Sequence, residues 1–178
     1  MNQANHAASS LRAFDLSAGL FVRGLANLKG MLTKAEAHAA ATGRGDAALI
    51  DAQLAADMNN LGVQVHWATE GAKLAIARLL GVAAPAPSAN DARSLADLKQ
   101  RVDATITYLS ALEPLELEAG LDRVIEMQHR GASKRYRGGE FLVEFAIPNF
   151  FFHMTTAYGI LRHEGVELTK ADFMGGWG

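Results

Sequence analysis

The residue types that could support chemistry are concentrated in one apolar segment near the C-terminus, PNFFFHMTTAYGILRHEG. It carries His153, Thr156 and Tyr158 among aromatic and aliphatic residues. Imidazole is the commonest side chain to bind metals and to carry protons near neutral pH. Threonine and tyrosine hydroxyls suit hydrogen bonding better than metal binding. We therefore expect a small polar pocket around these three residues; the alternative is a set of polar groups that are only hydrogen-bonded within a core.

A second candidate group lies in the middle of the chain, in a segment whose apolar spacing predicts a helix. His66 and Glu70 are four residues apart, a spacing that lets two side chains bind one metal ion from one helical face. Both residues lie beside the apolar stripe of this helix, so a solvated pair is the simpler interpretation. Gln64 also flanks the stripe, and we add it to the pocket predicted around His153.

Motifs and charge argue against several functional classes. The sequence contains no G-x-S-x-G, Walker, G-x-G-x-x-G or H-E-x-x-H motif. A basic run includes Lys134, Arg135 and Arg137, but it holds only one aromatic residue, Tyr136, and the chain has a net charge of -2. Proteins that bind nucleic acid combine a basic domain with interleaved aromatic residues. We expect a solvated surface here and no nucleic-acid partner.

Composition indicates an ordinary globular domain. Hydrophobic residues make up 49% and charged residues 20% of the 178 positions, so we expect one domain over residues 1–178. The lack of cysteine excludes disulfides and thiolate metal sites and fits a reducing compartment. The start of the chain lacks the pattern of a signal peptide, and no window has the roughly 18 consecutive apolar residues of a membrane span. We expect a cytoplasmic protein that does not interact with membranes.

Apolar residues spaced alternately three and four apart predict four helical segments. The first follows residues 11–39 and ends at Gly43. The second follows residues 54–79, with Asp46 as a candidate N-cap ahead of it. The pair Asn59-Asn60 has low helix propensity, which predicts a kink or a break within this second segment.

The second half of the chain contains a change of pattern between two helices. Ser94 and Asp97 resemble a capping box at the start of the third helix. Residues 123–137 show short alternating runs around a glycine, which favours a β-hairpin. Pro148 suits the first position of the last helix, and Gly165 ends it. These elements predict an all-α fold, a four-helix bundle with a small β-hairpin insert between the third and fourth helices.

The tail sequence ADFMGGWG carries two large aromatic side chains. We expect Phe173 to be docked against the bundle, because a large aromatic side chain left in water forgoes roughly 2 kcal/mol of burial. Trp177 is separated from it by glycines, and we expect it either to move freely or to pack on a partner subunit.

Three stretches of the chain are similar to one known family. They are FVRGLANLKGMLTKAEAHA near the start, LAADMNNLGVQVHWATEGAKLAIARLLG in the middle and IPNFFFHMTTAYGILRHEGVELTKADFMG near the end. Over nearly its whole length the chain resembles an uncharacterised bacterial domain-of-unknown-function family of the DinB/YfiT-like superfamily. The resemblance implies a DinB-like four-helix bundle and, together with abundant apolar helix surface, a homodimer.

The resemblance also bears on metal binding. Members of the superfamily often bind a divalent metal through three histidines, one from the second helix and two, spaced four apart, from a later helix. His153 matches the first of that later pair, and Gly159 matches the glycine that follows it. Ala157 stands at the second histidine position, Ile160 at a glutamine position, and the second helix has no histidine on its inward stripe. The resemblance therefore implies an incomplete metal triad.

Two hypotheses follow. The first is a small-molecule-binding or interaction protein with a polar pocket around His153 and no cofactor. The alternative is a metal-dependent enzyme of the DinB-like transferase or hydrolase type, in which His153 and either His66 or Glu70 hold a divalent metal. Neither hypothesis specifies a substrate or a catalytic residue.

Overall fold

The protein was analysed as a computed structural model that describes residues 11–129 and 131–176. Most of the described residues are helical, and the strands form one two-stranded antiparallel sheet. In chain order the helices are α1 (Ala13–Leu16), α2 (Ala18–Thr42), α3 (Asp46–Ile50), α4 (Leu61–Leu80), α5 (Leu95–Ser110), α6 (Pro114–Gly120), α7 (Gly138–Phe141), α8 (Ile147–His163) and α9 (Lys170–Met174). The strands are β1 (Val124–His129) and β2 (Ala132–Arg137), and a π-helical segment spans Leu142–Ala146.

Four long helices, α2, α4, α5 and α8, enclose the core. Helix α2 packs against α5, α4 packs against α8, and α4 also contacts α5. Their apolar faces bury large side chains such as Phe21, Leu25, Ile76 and Phe150. No helix within residues 11–129 and 131–176 is long and apolar enough to cross a membrane.

The first predicted helix is divided into two. Ser17 has φ -125° and ψ -96°, which interrupts the helix between α1 and α2. Its hydroxyl donates a hydrogen bond to the carbonyl of Ala13, and the side chain is fully buried at the break. Leu11 precedes α1 and is 72% exposed, so the prediction that the apolar stripe begins there was wrong. The predicted end was correct, because Gly43 closes α2 with a left-handed φ of 68°.

The break predicted near Asn59-Asn60 is real and complete. The side-chain oxygen of Asn60 accepts a hydrogen bond from the Val63 N–H at 3.0 Å, and Asn60 is thus the N-cap of α4. Leu54 lies in the connection before it and is partly exposed. Asp46 is the first residue of α3 rather than an N-cap, and its carboxylate instead accepts a hydrogen bond from the Leu95 N–H at 2.9 Å.

The capping box at Ser94 and Asp97 is confirmed, since the Ser94 hydroxyl accepts from the Asp97 N–H at 3.0 Å while the Asp97 carboxylate accepts from the Ser94 N–H. The antiparallel hairpin between the third and fourth long helices is confirmed as well. Its Cα partners run from Val124 opposite Arg137 to His129 opposite Ala132.

The last helix begins earlier than the sequence predicted. Helical structure is continuous from Gly138 through the π-helical segment into α8, so Pro148 is the second residue of α8 rather than the first residue of a new helix. Pro148 directly follows Ile147, whose N–H bonds to the Leu142 carbonyl five residues earlier, so it lies where the ordinary helical hydrogen-bond pattern is already interrupted. Gly165 ends the helix with a φ of 89°, as predicted.

Helix α9, near the C-terminus, packs against α2 and α8. The Phe173 ring contacts the rings of Phe151 and Tyr158, with centroids 6.5 Å and 5.8 Å away, and Asn27 donates a hydrogen bond to the Phe173 carbonyl at 3.0 Å. The docking of Phe173 is therefore confirmed. Trp177 lies outside the described residues.

Asp172 holds α9 in place, and its removal should weaken the fold in a pH-dependent way. The carboxylate pairs with Lys34 at 2.6 Å and accepts hydrogen bonds from Thr169, which lowers the pKa of Asp172 to about 2. Because this folded-state pKa lies below the unfolded value of about 3.9, its stabilisation is present at neutral pH and is lost as the pH falls from about 4 to about 2.

We expect Asp172→Asn to lower Tm by about 2–4 °C at pH 7, since loss of a helix cap costs about 1 kcal/mol. The difference from wild type should shrink in thermal melts recorded between about pH 4 and pH 2. Asp122→Asn is the control, because that carboxylate is exposed and 3.8 Å from Arg137. A Tm difference between wild type and Asp172→Asn that stays constant over this range would contradict the role given to Asp172.

Candidate functional site

The residues His153 and Gln64 are 89 positions apart in sequence and meet between α8 and α4. The Nδ1 atom of His153 lies 2.8 Å from the Oε1 atom of Gln64. Gln64 is only 2% exposed, and its Nε2 donates a hydrogen bond to the Asn59 carbonyl at 3.0 Å. A buried amide needs partners at both ends, and Gln64 finds one in the loop before α4 and the other on α8.

This arrangement determines which nitrogen of His153 carries the proton. The Gln64 amide nitrogen is committed to the Asn59 carbonyl, so the oxygen faces the imidazole and can only accept. Nδ1 of His153 must therefore be the N–H that donates. Burial lowers the pKa of His153, which favours the neutral ring. A neutral ring protonated on Nδ1 has a free lone pair on Nε2, which can accept a proton or a hydrogen bond.

His153 borders a cavity of about 520 Å³ between α4, the hairpin and the start of α8. On α4 the lining residues fall at helical spacing and form one stripe; they are Trp67, Gly71, Leu74, Ala75 and Arg78. Facing them are residues of the hairpin, α7, the π-helical segment and α8, together with the loop residue Asn59; they are Met127, Gln128, Phe141, Phe145, Ala146, Asn149 and His153. The cavity thus combines aromatic walls with a few polar side chains, the usual composition of a small-molecule site.

Thr156 and Tyr158 do not line this cavity. The Thr156 hydroxyl donates to the Phe152 carbonyl one turn earlier, at 2.8 Å, which satisfies it within its own helix. Tyr158 packs edge-on against Phe173, where it helps to hold α9. Of the four predicted pocket residues, the structure brings His153 and Gln64 together and leaves these two in separate surroundings.

His66 and Glu70 do not form the solvated pair expected from the sequence. Glu70 is 4% exposed and pairs with the ammonium of Lys73 at 2.7 Å. Nδ1 of His66 lies 3.2 Å from the guanidinium of Arg101. Burial and the Arg101 charge lower the pKa of His66, which keeps the ring neutral and its Nδ1 free to accept from Arg101. The two side chains thus face different partners.

Glu70 has a structural role that sequence spacing did not reveal. Its carboxylate accepts a hydrogen bond from the Ser88 N–H at 3.3 Å, and Lys73 donates to the Ser88 hydroxyl at 3.3 Å. Burial acts to raise the pKa of Glu70, but the hydrogen bonds from Lys73 and Ser88 and the Lys73 charge outweigh it, so the pKa lies below its ordinary value. Glu70 and Lys73 thus fasten the linker between α4 and α5 onto α4.

The residues around His153 do not provide the donor set of a metal site. Ala157, one turn further along α8, is fully buried and apolar, as is Val65 on α4. The cavity that His153 borders is lined by no other histidine and by no carboxylate among the described residues. Across residues 11–129 and 131–176, no group of three or more His, Asp or Glu side chains could hold a metal ion.

Sequence reasoning missed three elements of the cavity. Asn149 and Arg78 were not predicted as cavity residues, because single polar residues on amphipathic helices are common. Gly71 lets the two helices approach: a Cβ atom there would lie 3.2 Å from the Asn149 side-chain nitrogen. The usable signal was their spacing, since Gly71 and Arg78 are seven residues apart and share one face of α4 with Trp67.

Comparison with known proteins agrees with this architecture. The sequence profile described as Domain of unknown function (DUF1993) matches residues 13–174. The chain belongs to the DUF1993 family. It is also similar to a DinB family member protein from Shewanella denitrificans whose crystal structure is known, with 40% sequence identity, a TM-score of 0.85 and 91% of each chain covered. The comparison with curated proteins gives no match. The resemblance to an uncharacterised DinB-like family is thereby confirmed.

The Gln64–His153 contact can be tested with a double-mutant cycle. We expect Gln64→Leu and His153→Ala each to lower the free energy of unfolding by about 1–3 kcal/mol, because each leaves a polar partner unpaired. In urea unfolding, the loss of unfolding free energy in the double variant should be about 1 kcal/mol smaller than the sum of the two single losses. Thr33→Val combined with Gln64→Leu is the control pair, since the exposed Thr33 hydroxyl bonds only to the Lys29 carbonyl within α2. Additive losses for Gln64 and His153 would show that the contact contributes nothing.

Proposed function

We propose that this DUF1993 protein is a cytoplasmic small-molecule-binding protein, built as a DinB-like four-helix bundle, whose ligand occupies the cavity bordered by His153. One observation carries the proposal: a neutral imidazole, oriented by a buried glutamine, borders a cavity of about 520 Å³ with aromatic walls. Orienting a histidine through a hydrogen bond to its other nitrogen is how proteins prepare the free nitrogen for a partner.

Further support comes from the polar side chains around the cavity. Asn149 is half-buried, and its amide forms no hydrogen bond with any other residue of the described part of the chain. Elsewhere in the core the polar groups are satisfied internally, as the Thr69 hydroxyl is by the Val65 and His66 carbonyls. Polar groups left available in an apolar recess are the usual means of orienting a bound molecule.

The proposal predicts binding that depends on His153. In a fragment screen followed by NMR, fragments that bind should shift the signals of the Trp67 indole and the His153 ring. His153→Ala should weaken the affinity of these fragments at least about tenfold. His163→Ala is the matched control, because His163 is exposed near the end of the same helix. Hits that shift neither signal, or that bind His153→Ala as well as wild type, would contradict the proposal.

Elemental analysis separates this proposal from a metal-dependent enzyme. Protein purified without an affinity tag should have the same metal content as its His153→Ala variant, because the donors around His153 do not complete a metal site. If the wild type contains about one equivalent of a divalent metal and His153→Ala abolishes it, the proposal is wrong. The protein would then be a metal-dependent enzyme in which His153 acts with ligands yet to be identified.

We also propose that the protein forms a homodimer, supported by large apolar side chains exposed on α8 and on the π-helical segment before it. Phe152 is 57% exposed and Val143 70% exposed, and both lie on the same continuous helical stretch. Light scattering at micromolar concentration should give twice the chain mass, and Phe152→Glu should reduce the measured mass to that of one chain. A clean monomer mass for the wild type would remove this part of the proposal.

A further inference from the structure

The cavity beside His153 has an unbalanced charge. Its lining contains one ionised side chain, the guanidinium of Arg78, and no carboxylate among the described residues. Arg78 is half-buried, and its guanidinium carbon lies 5.9 Å from the centre of the Phe141 ring. Burial lowers the pKa of Arg78, yet arginine stays charged at any physiological pH. The cavity therefore holds a positive charge without a negative partner.

Other half-buried cations of the described chain are neutralised or hydrogen-bonded. Lys99 pairs with Glu36 at 2.5 Å, and Lys29 pairs with Asp103 at 2.7 Å. Arg101 donates to the Ala89 carbonyl and contacts His66. Within residues 11–129 and 131–176, Arg78 is the half-buried cation that forms neither a hydrogen bond nor an ion pair. Partly buried cations usually have a partner, so Arg78 is a half-buried cation of the described chain that is available to an anionic ligand.

This exception distinguishes the cavity from a larger one near the linker. That second cavity, of about 670 Å³, is lined by Lys73 and Arg101 among others. Both of those cations already form ion pairs or hydrogen bonds with carboxylate, hydroxyl or carbonyl groups of the protein. A ligand that binds Lys73 or Arg101 would have to displace these internal partners, and Arg93, the other cation of that lining, is exposed. A ligand that binds the half-buried Arg78 would displace no partner among the described residues.

The order of residues along the cavity follows from three contacts between antiparallel helical stretches. Gln64 meets His153, Gly71 faces Asn149, and Arg78 lies over Phe141. His153, which is held by Gln64, and Arg78 are thus at opposite ends of the cavity. Gln64 and Arg78 are about 21 Å apart along the α4 axis at 1.5 Å per residue. Arg78 lies at the end of the cavity that is lined by the aromatic rings of α7 and the π-helical segment.

We infer that the cavity takes an elongated small molecule with an oxyanion group, a carboxylate or a phosphate, at the Arg78 end and an apolar or aromatic body along Phe141 and Phe145. The guanidinium presents paired N–H donors that match two oxygens of such a group. The Asn149 amide lies midway and offers a donor and an acceptor to polar atoms of the ligand. This inference rests on the proposed function and specifies the chemical class of its ligand.

The test compares anionic and neutral probes of the same shape. Titrations of the full-length protein would use 4-phenylbutanoate, 2-phenylethyl phosphate and the neutral 4-phenylbutanamide. We expect at least one anion to bind at least about tenfold more tightly than the amide, as one charge-assisted hydrogen-bonded pair allows. The stronger of the two anions distinguishes a carboxylate ligand from a phosphate ligand.

Variants of Arg78 assign the effect to that residue. Arg78→Gln should weaken the preferred anion at least about tenfold and leave the amide unchanged, while Arg78→Lys should retain part of the preference because it keeps the charge. Arg23→Gln removes the same charge from an exposed position on α2 and should change nothing. A thermal melt of each variant establishes that it is folded. If Arg78→Gln is unfolded, Arg78→Lys alone decides, and an anion affinity identical to wild type would then overturn the inference.

Two results separate this inference from the proposed function. If the amide binds as tightly as both anions and His153→Ala weakens all three, the cavity binds small molecules but the charge preference is wrong. If no probe shifts the Trp67 signal and no fragment does so either, both proposals fail. An anion preference that survives Arg78→Gln would also overturn the inference, because the anion would then be bound elsewhere.

Discussion

The structure around the cavity depends on one buried amide, that of Gln64. Its nitrogen donates to the Asn59 carbonyl and its oxygen faces Nδ1 of His153. The amide therefore joins the loop before α4, the first turn of α4 and the middle of α8. An unpaired amide at this depth would cost about 1–3 kcal/mol, so the three segments are held together by the need to satisfy both of its ends. The position of the His153 proton is a consequence of that need.

The cavity lies beside the contact between α4 and the helical stretch that runs from α7 through the π-helical segment into α8. Gly71 allows close approach beside Asn149, and the π-helical segment then shifts the register of the chain before α8. A π-helical turn moves side chains off the ordinary helical stripe, and such turns recur at functional sites. Phe141 and Phe145 stack with their ring centroids 5.8 Å apart and form the aromatic end of the cavity, where Arg78 lies without an anionic partner among the described residues.

Local signals in the sequence predicted the helices well and the site only in part. Gly43 and the Ser94–Asp97 capping box act within a few residues, so their effects could be read from the sequence. The break at Ser17 could not, because the apolar spacing continues through it and the interruption comes from backbone angles and a side-chain hydrogen bond. His153 and Gln64 were predicted as pocket residues from their types. Their direct contact spans 89 residues and became visible only in the folded chain.

The partners of Glu70 also could not be predicted from the sequence. Its spacing from His66 predicted a shared solvated face, but its partners are Lys73 and the distant Ser88, which belongs to the linker. The amino-acid sequence of the linker that carries Ser88 gives no indication of where the linker will lie on the folded chain. The burial of Glu70 is therefore a property of tertiary packing.

The most direct test of this account is the protonation of the His153 ring, measured by long-range ¹H–¹⁵N NMR at pH 7. We expect a neutral ring with the proton on Nδ1 and an unprotonated Nε2. In Gln64→Leu the Nδ1 preference should disappear, because the free imidazole favours the other tautomer once its acceptor is removed. A wild-type ring protonated on Nε2, or on both nitrogens, would contradict the assignment of His153 as an oriented acceptor that borders the cavity.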